Sequence, residues 1–180
     1  MDNINEILDK CKSKGIHECA IIPTSKVVFL DEVRNLCKAN QCGMYGKTWA
    51  CPPAVGDIFT CKEQCLKYSN VLVFTTKSDL EDSFDFEGMM EGKKIHEKIC
   101  KEVRDIFKKY FPEILVLTSE GCSNCDKCTY PDSPCRFPED MHPSVESYGI
   151  MVSEEAKSAK VHYINGVNTV TYFSNIFFNL

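Results

Sequence analysis

Four closely spaced cysteines form the pattern with the most specific chemistry in this 180-residue chain. Cys122, Cys125 and Cys128 are separated by two residues each, and Cys135 follows after six more residues in EGCSNCDKCTYPDSPC. Three thiolates at the first spacing are typical of ferredoxin-type loops that bind an iron–sulfur cluster. The six-residue interval departs from that pattern and favours Cys135 as the fourth ligand of the same cluster. These four residues, called the 122–135 site below, predict a [4Fe–4S] centre.

Zinc is the main alternative metal for the 122–135 site. Structural zinc sites generally present their thiolates as pairs, with a longer spacer between one Cys-x2-Cys pair and the next. A triplet followed by a single cysteine fits that arrangement less well, although four thiolates are enough for tetrahedral zinc. His142 is nearby, but a histidine followed by proline in a loop is more often a surface or hydrogen-bonding residue. We therefore leave His142 out of the predicted ligands.

A second group of cysteines lies in CKANQCGMYGKTWACPPAVG. Cys37, Cys42 and Cys51, called the 37–51 site below, are separated by four and eight residues, which matches neither a zinc signature nor a ferredoxin loop. Cys61 and Cys65 follow four residues apart on one face of a predicted helix. Either residue could complete a four-sulfur set, and Cys61 is the predicted ligand because it is nearer in sequence. With no fourth cysteine, the site would have an open iron for a substrate.

The composition excludes several classes of protein. The formal net charge of −5 argues against general nucleic-acid binding, which usually requires a basic excess. No run of apolar residues approaches the length of a membrane span. The N-terminus has early acidic residues and no apolar signal segment, so we expect a cytoplasmic protein. Disulfides are disfavoured there, and the 12 cysteines are therefore expected to be free thiols, metal-bound thiolates or catalytic groups. Cys11, Cys19 and Cys100 are expected to be packing residues.

The remaining pattern predicts one mixed α/β domain over residues 1–180, in which irregular loops carry both cysteine groups. Periodicity and turn signals predict helices over 3–14, 31–37, 57–68 and about 86–110, strands over 18–23, 70–76 and 113–119, and a C-terminal hairpin over 159–173. The hairpin turn is expected at Asn165–Gly166. The strand–helix–strand unit at 70–118 favours a parallel pair of strands.

The long predicted helix has an apolar stripe and a basic face. The stripe recurs every three or four residues and comprises Ile95, Ile99, Val103, Ile106 and Tyr110. The basic face comprises Lys94, Lys98, Lys101, Arg104 and Lys108. Acidic residues are interleaved with these basic side chains, which favours a solvated face over a contact with an anionic partner. In the loop before the 57–68 helix, Trp49 is expected either to shield the 37–51 site or to pack in the core.

Five longer motifs carry a family resemblance: YGKTWACPPAVG, DSFDFEGMM, CSNCDKCTYPDSPCRFPE, HPSVESYGI and NGVNTVTYF. Over about residues 17–180, the chain resembles the predicted metal-binding proteins known as domain of unknown function 2284, found mostly in anaerobic bacteria and archaea. The resemblance implies a cysteine-ligated metal, with iron–sulfur expected, at the 122–135 site. It also favours the 37–51 site as a second centre, because YGKTWACPP belongs to the family pattern. It implies no reaction.

The sequence therefore predicts an iron–sulfur protein with one or two [4Fe–4S] clusters, serving electron transfer or redox chemistry in an anaerobic cytosol. Its expected partner is a redox protein, with neither nucleic acid nor membrane involved. One alternative is an enzyme whose three-cysteine cluster has an open iron. The other alternative is a non-enzymatic structural zinc module in which the metal stabilises a partner-binding surface.

Overall fold

A four-stranded antiparallel sheet forms the centre of the protein in the computed structural model, which describes residues 4–180. The strands lie in the order β1–β2–β4–β3 and comprise β1 (Glu18–Pro23), β2 (Asn70–Asp79), β3 (Leu115–Leu117) and β4 (Thr169–Phe178). The two long central strands pair over ten residues, from Asn70 opposite Phe178 to Asp79 opposite Thr169. Strand β2 contains the run VLVFTT, and every residue of this run is buried. The sheet is thus built around one strand that the sequence predicts directly.

Five α-helices surround the sheet in the described part of the chain: α1 (Ile4–Lys12), α2 (Asp31–Ala39), α3 (Ile58–Leu66), α4 (Phe86–Lys108) and α5 (Val152–Ala159). The helices predicted before residue 111 are all present, with ends shifted by a few residues; residue 3 of the first lies outside the described residues. Helix α3 begins where Asp57 accepts a hydrogen bond from the Thr60 backbone N–H at 2.7 Å. No helix within residues 4–180 has the length and apolar character needed to span a bilayer. The structure confirms the α/β class.

The two faces of the sheet carry separate hydrophobic clusters. On one face, Leu72, Phe74 and Ile176 pack against α1 and α4, and the predicted packing residues Cys11 and Cys100 are buried there. On the other face, apolar residues of β2 and β4 pack against α3, α5 and the turn that contains residues 145–150. Because strand side chains alternate between faces, both faces of β2 must be apolar, as its sequence is. The cysteines of the 37–51 and 122–135 sites lie outside both clusters.

The predicted pairing of the two strands in the 70–118 unit is wrong, although their predicted parallel direction is right. Strands β2 and β3 run in the same direction, as a strand–helix–strand unit requires, but they do not pair with each other. Strand β4 lies between them and is antiparallel to both, with Ile176 opposite Leu72 and Val116. The C-terminal strand offers ten residues to pair with β2, whereas β3 has only three. With β4 placed between β2 and β3, the two long strands β2 and β4 can pair over all ten residues.

The predicted C-terminal hairpin is also wrong. Only its second half forms a strand, β4, and residues 160–168 are irregular. The first half of the predicted hairpin is held elsewhere, because the His162 backbone N–H and ring bind the Glu18 carboxylate at 2.8 Å. Asn165 donates to Thr171 and contacts the His17 ring at 3.0 Å. Strand β2 pairs with β4 along its whole length, and β3 occupies the other edge of β4 only at residues 175–177, so the irregular 160–168 segment pairs with neither edge.

The buried face of α4 differs from the predicted apolar stripe. Ile99 and Val103 are buried as expected, but Ile95 is 47% exposed. His96 takes its place in the core, where its ring contacts the hydroxyls of Thr76 at 2.9 Å and Ser174 at 2.7 Å. Burial lowers the pKa of His96 to about 4, so the ring is neutral at physiological pH. Hydrogen bonds from both neighbouring strands thus compensate for burying a polar ring.

Candidate metal centre

The four cysteines of the 122–135 site lie around one small cavity. Their loop follows β3 and itself contains no helix or strand. All four are half-buried free thiols, and together they line a cavity of about 20 Å³ beside Trp49 and Met141. The structure thus brings together every residue that the sequence assigns to this site. Four thiols are the type of donor that an iron–sulfur cluster or a structural zinc ion takes.

Helix α4 anchors the 122–135 loop through its basic face. Lys101 donates a 2.9 Å hydrogen bond to the side-chain oxygen of Asn124, and the Asn124 amide donates to the Asp140 carbonyl at 2.7 Å. Arg104, which is buried, forms a 2.6 Å ion pair with Asp140. Arg136 closes the loop internally by donating to the Lys127 carbonyl at 2.9 Å. The expected solvated face therefore has a structural role at Lys101 and Arg104.

Trp49 connects the two cysteine loops. It precedes Cys51 by two residues in sequence, and the sequence predicts that it either shields the 37–51 site or packs in the core. The structure instead places its ring against the 122–135 cavity. The indole N–H donates to the Ser133 carbonyl at 3.1 Å, and the ring lies edge-on to Tyr130 at 4.9 Å between centroids. The tryptophan of one loop thus covers the cysteines of the other.

Burial makes the Cys122 thiol of the 122–135 site costly to ionise without a metal. Desolvation raises the pKa of Cys122, and the neighbouring Cys135 and Cys125 raise it further. The Asn124 backbone N–H opposes this effect by donating toward the Cys122 sulfur. A bound cation reverses the balance because it stabilises every thiolate at once. The local electrostatics therefore suit a site in which metal binding and deprotonation occur together.

The 37–51 site borders a much larger cavity, of about 390 Å³. Cys37 comes from the C-terminal end of α2, whereas Cys42 and Cys51 come from the loop that follows. All three line the cavity, as do four polar residues from distant parts of the chain: Lys93, Glu120, Ser144 and Glu146. The cavity has enough volume for a small ligand beside the three sulfurs. The three predicted cysteines are therefore assembled next to open space.

The short 3₁₀ turn at Glu146–Tyr148 positions two of these thiols. The Cys37 thiol contacts the Glu146 carbonyl oxygen at 3.8 Å, because α2 packs against this turn. Two residues earlier, the Ser144 N–H donates to the carbonyl of Ala50, the neighbour of Cys51, at 3.4 Å. The pKa values of Cys37 and Cys51 are raised, mainly by burial, and the Glu146 carboxylate adds to both shifts. The turn thus holds two cysteine segments together.

Cys61 and Cys65 lie away from this cavity. Both are fully buried on the face of α3 that packs against the sheet. The Cys61 thiol contacts the Val55 carbonyl oxygen at 3.4 Å, and the Arg34 guanidinium lies 3.6 Å from its sulfur. Burial strongly raises the pKa of Cys65, which lies in a mostly apolar cluster. The structure therefore brings together three of the four cysteines that the sequence assigns to the 37–51 site.

The two sites are neighbours through Gly121. A Cβ atom added to this glycine would lie 3.7 Å from the Cys51 sulfur and 3.2 Å from the Met44 side chain. Cys122 is the next residue, and consecutive Cα atoms are about 3.8 Å apart. The Cys51 sulfur is therefore within about 9 Å of the Cys122 Cα atom. A Cβ atom at this position would be in ordinary contact with the Cys51 sulfur and would require the Met44 side chain to move slightly.

Four polar residues of the 37–51 cavity are not predicted by the sequence analysis. Lys93 is buried on α4, where its ammonium pairs with Glu120 at 3.3 Å and Glu97 at 3.8 Å. Glu146 has surface exposed to solvent, yet the protein around it raises the pKa of its carboxyl. The only sequence signal for Glu146 and Ser144 is their place in HPSVESYGI. Lys93 and Glu120 carry no signal, because only the fold brings them to the cysteines.

Within the described part of the chain, no three His, Cys, Asp or Glu side chains are arranged closely enough to hold a single metal ion.

A family model described as "Predicted metal-binding protein (DUF2284)" matches residues 20–178. The chain belongs to this family. The match covers both cysteine groups and confirms the family resemblance of the sequence motifs. No curated protein and no solved structure is significantly similar to this DUF2284 chain.

Proposed function

We propose that this DUF2284 protein is an iron–sulfur protein with a [4Fe–4S] cluster at the 122–135 site and a second cluster at the 37–51 site. The observation that carries the proposal is the convergence of Cys122, Cys125, Cys128 and Cys135 on one cavity. Their Cys-x2-Cys-x2-Cys spacing is typical of iron–sulfur loops rather than of paired zinc ligands. Family membership supports metal binding but does not identify the metal, so the choice of iron–sulfur rests on the spacing of the thiols.

The two sites suit different tasks. At the 122–135 site, four thiolates would occupy all four irons, and a closed cluster of this kind supplies one-electron transfer. Lys101 and Arg104 hold the loop, so the chain's own contribution is a fixed ligand geometry and a partly buried environment. Both features tune reduction potential. The partner in this proposal is a one-electron carrier protein in an anaerobic cytosol.

A second candidate function, an enzyme with an accessible iron, is favoured by the cavity at the 37–51 site. Three cysteines line this cavity of about 390 Å³, and Cys61 and Cys65 are buried elsewhere. A three-cysteine cluster has one iron without a thiolate, and such an iron supplies Lewis-acid chemistry. Lys93 provides a positive charge at the same cavity. In this version the 122–135 site delivers electrons, and the 37–51 site binds the substrate.

Metal and sulfide analysis of anaerobically purified protein tests the proposal. We expect about eight irons per chain with an equal amount of acid-labile sulfide, and a brown colour. Zinc without sulfide, after anaerobic reconstitution with iron and sulfide, would refute it and support the zinc module. Air must be excluded, because exposed clusters decompose and leave thiols that can bind zinc.

The enzyme version has its own test. A small thiol added to the reduced protein should change the electron paramagnetic resonance (EPR) spectrum of the 37–51 cluster and leave that of the 122–135 cluster unchanged. An accessible iron binds the added thiolate, whereas a cluster with four cysteines has no free position. Two spectra that are both insensitive to the thiol would exclude an accessible iron and leave electron transfer as the function.

A further inference from the structure

The fourth ligand of the 37–51 site must come from a residue that reaches the cavity. Cys61 and Cys65 do not line it, and both thiols are enclosed in the core. The cavity offers two carboxylates, Glu120 and Glu146, besides its three cysteines. A carboxylate carries the same single negative charge as a thiolate, so it conserves the net charge of a four-thiolate centre. Carboxylate oxygen is also an established protein ligand for transition metals.

Glu146 is the better placed of the two carboxylates. Its own carbonyl oxygen contacts the Cys37 thiol at 3.8 Å. The chain two residues earlier is joined to the segment of Cys51 by the hydrogen bond from Ser144 to Ala50. Glu146 therefore lies beside the segments that carry two of the three thiols, and it is among the residues that line the cavity that they share.

Glu120 is already engaged by a cation. Its carboxylate oxygen lies 3.3 Å from the ammonium of Lys93, which is itself buried. Binding a metal would require Glu120 to break this pair and leave the Lys93 charge without its nearer partner. Among the ion pairs of residues 4–180, none involves Glu146. Glu146 can thus turn toward a metal without that cost.

We propose that the Glu146 carboxylate, rather than a fourth cysteine, completes the ligand set at the 37–51 site. The inference rests on the proposed iron–sulfur function and adds the ligand that distinguishes this site from the 122–135 site. An oxygen ligand binds a soft iron–sulfur centre less strongly than a thiolate does. A substrate entering the cavity can therefore displace Glu146, whereas it cannot readily displace a cysteine. The site is closed at rest and opens when a ligand arrives.

The test uses the full chain with both Cys122 and Cys125 replaced by alanine, so that iron signals come from the 37–51 site alone. Three variants are compared in this background: Glu146→Ala, Glu146→Cys and, as the matched carboxylate of the same cavity, Glu120→Ala. Each is reconstituted anaerobically and checked for native secondary structure by circular dichroism. The readouts are iron and sulfide per chain, the EPR spectrum of the reduced protein, and the rate of iron loss to a chelator.

We expect Glu146→Ala to change the EPR spectrum and to accelerate iron loss by more than about tenfold. Losing a residue that only hydrogen-bonds to a metal ligand already costs about tenfold or more in metal affinity, so losing a ligand itself should cost more. Glu146→Cys should restore slow iron loss, because a thiolate replaces the carboxylate. Glu120→Ala should resemble the unsubstituted background, since its carboxylate pairs with Lys93.

Two results would overturn the assignment of Glu146. One is a Glu146→Ala protein with the same spectrum and iron-loss rate as the background. The other is an equal effect of Glu120→Ala, which would indicate general electrostatics rather than ligation. Failure of the proposed function looks different, because the background protein would then bind no iron with sulfide. If circular dichroism shows that the background does not fold, the same comparison in the otherwise unsubstituted chain, with the 122–135 signal constant, decides the question.

Discussion

Glu155 is a buried carboxyl group whose protonation should control stability. It lies on α5 with no exposed surface, and the Asn175 side-chain N–H donates to its Oε1 atom at 2.8 Å. Within residues 4–180, its Oε2 atom and the Asn175 Oδ1 atom have no hydrogen-bond partner. A proton on Oε2 could be donated to Asn175 Oδ1, which would satisfy both atoms. Burial raises the pKa of Glu155 from 4.5 to about 8.

The sign and size of the effect follow from this shift. The unfolded chain loses the Glu155 proton near pH 4.5, whereas the folded protein keeps it until about pH 8. Raising the pH between these values therefore stabilises the unfolded state relative to the folded state. Each pKa unit corresponds to about 1.36 kcal/mol, so the free energy of unfolding should fall by about 5 kcal/mol across this range. Below pH 4.5 the contribution is fully present, and above pH 8 it is lost.

Glu155→Gln removes the titration and keeps the shape. The glutamine amide can accept from Asn175 and donate to its free oxygen at every pH. We expect urea denaturation to give similar free energies for the two proteins near pH 4.5, and the variant to be more stable by several kcal/mol at pH 9. Glu154→Gln is the matched control, because Glu154 is a neighbouring exposed residue in a surface pair with Lys157. Its effect should stay within about 1 kcal/mol at all pH values.

The reasoning would be refuted by a difference between Glu155→Gln and the original protein that does not change with pH. A constant difference would mean that Glu155 has the same charge in the folded and unfolded states. Both proteins must be compared in the same metal state, because bound metal adds its own pH-dependent stability.

Three further predictions concern the two sites. Cluster binding should quench the fluorescence of Trp49, the only tryptophan, since its ring lines the 122–135 cavity; unchanged emission on loading would contradict that placement. Arg104→Ala should lower stability by about 1–3 kcal/mol and speed iron loss from the 122–135 site, because its ion pair anchors the loop. Lys98→Ala, an exposed change on the same helix, should do neither, and equal effects would refute the anchoring role. Cys51→Ala should remove the iron of the 37–51 site, whereas Cys61→Ala should retain it; loss of iron in both would restore Cys61 as a ligand.

Local patterns predict α1 to α4 and β2 because each depends on the residues within it, whereas α5 is not predicted. The continuous apolar run of β2 needs a buried strand wherever it lies in the sheet. The position of β4 depends instead on competition among strands that are distant in sequence, so the hairpin at 159–173 was expected where none forms. His96 illustrates the same limit, because its burial requires hydroxyls from Thr76 on β2 and Ser174 on β4.

In the candidate sites too, local sequence spacing predicts some residues, whereas others are brought to the site only by the tertiary fold. The cysteines of the 122–135 site are near one another in sequence, so their spacing was enough to predict that they converge. The spacing of Cys61 and Cys65 places them on one face of α3 and does not say which face is buried. Glu146 reaches the 37–51 cavity only because α2 packs against a distant 3₁₀ turn. No local pattern contains that contact.

The most direct test of the central claim is the ratio of iron to acid-labile sulfide per chain in anaerobically prepared protein. The original chain should contain about eight irons and eight sulfides, and Cys128→Ala should retain roughly half of each, from the 37–51 site. Zinc in place of iron, or iron without sulfide, would contradict the account.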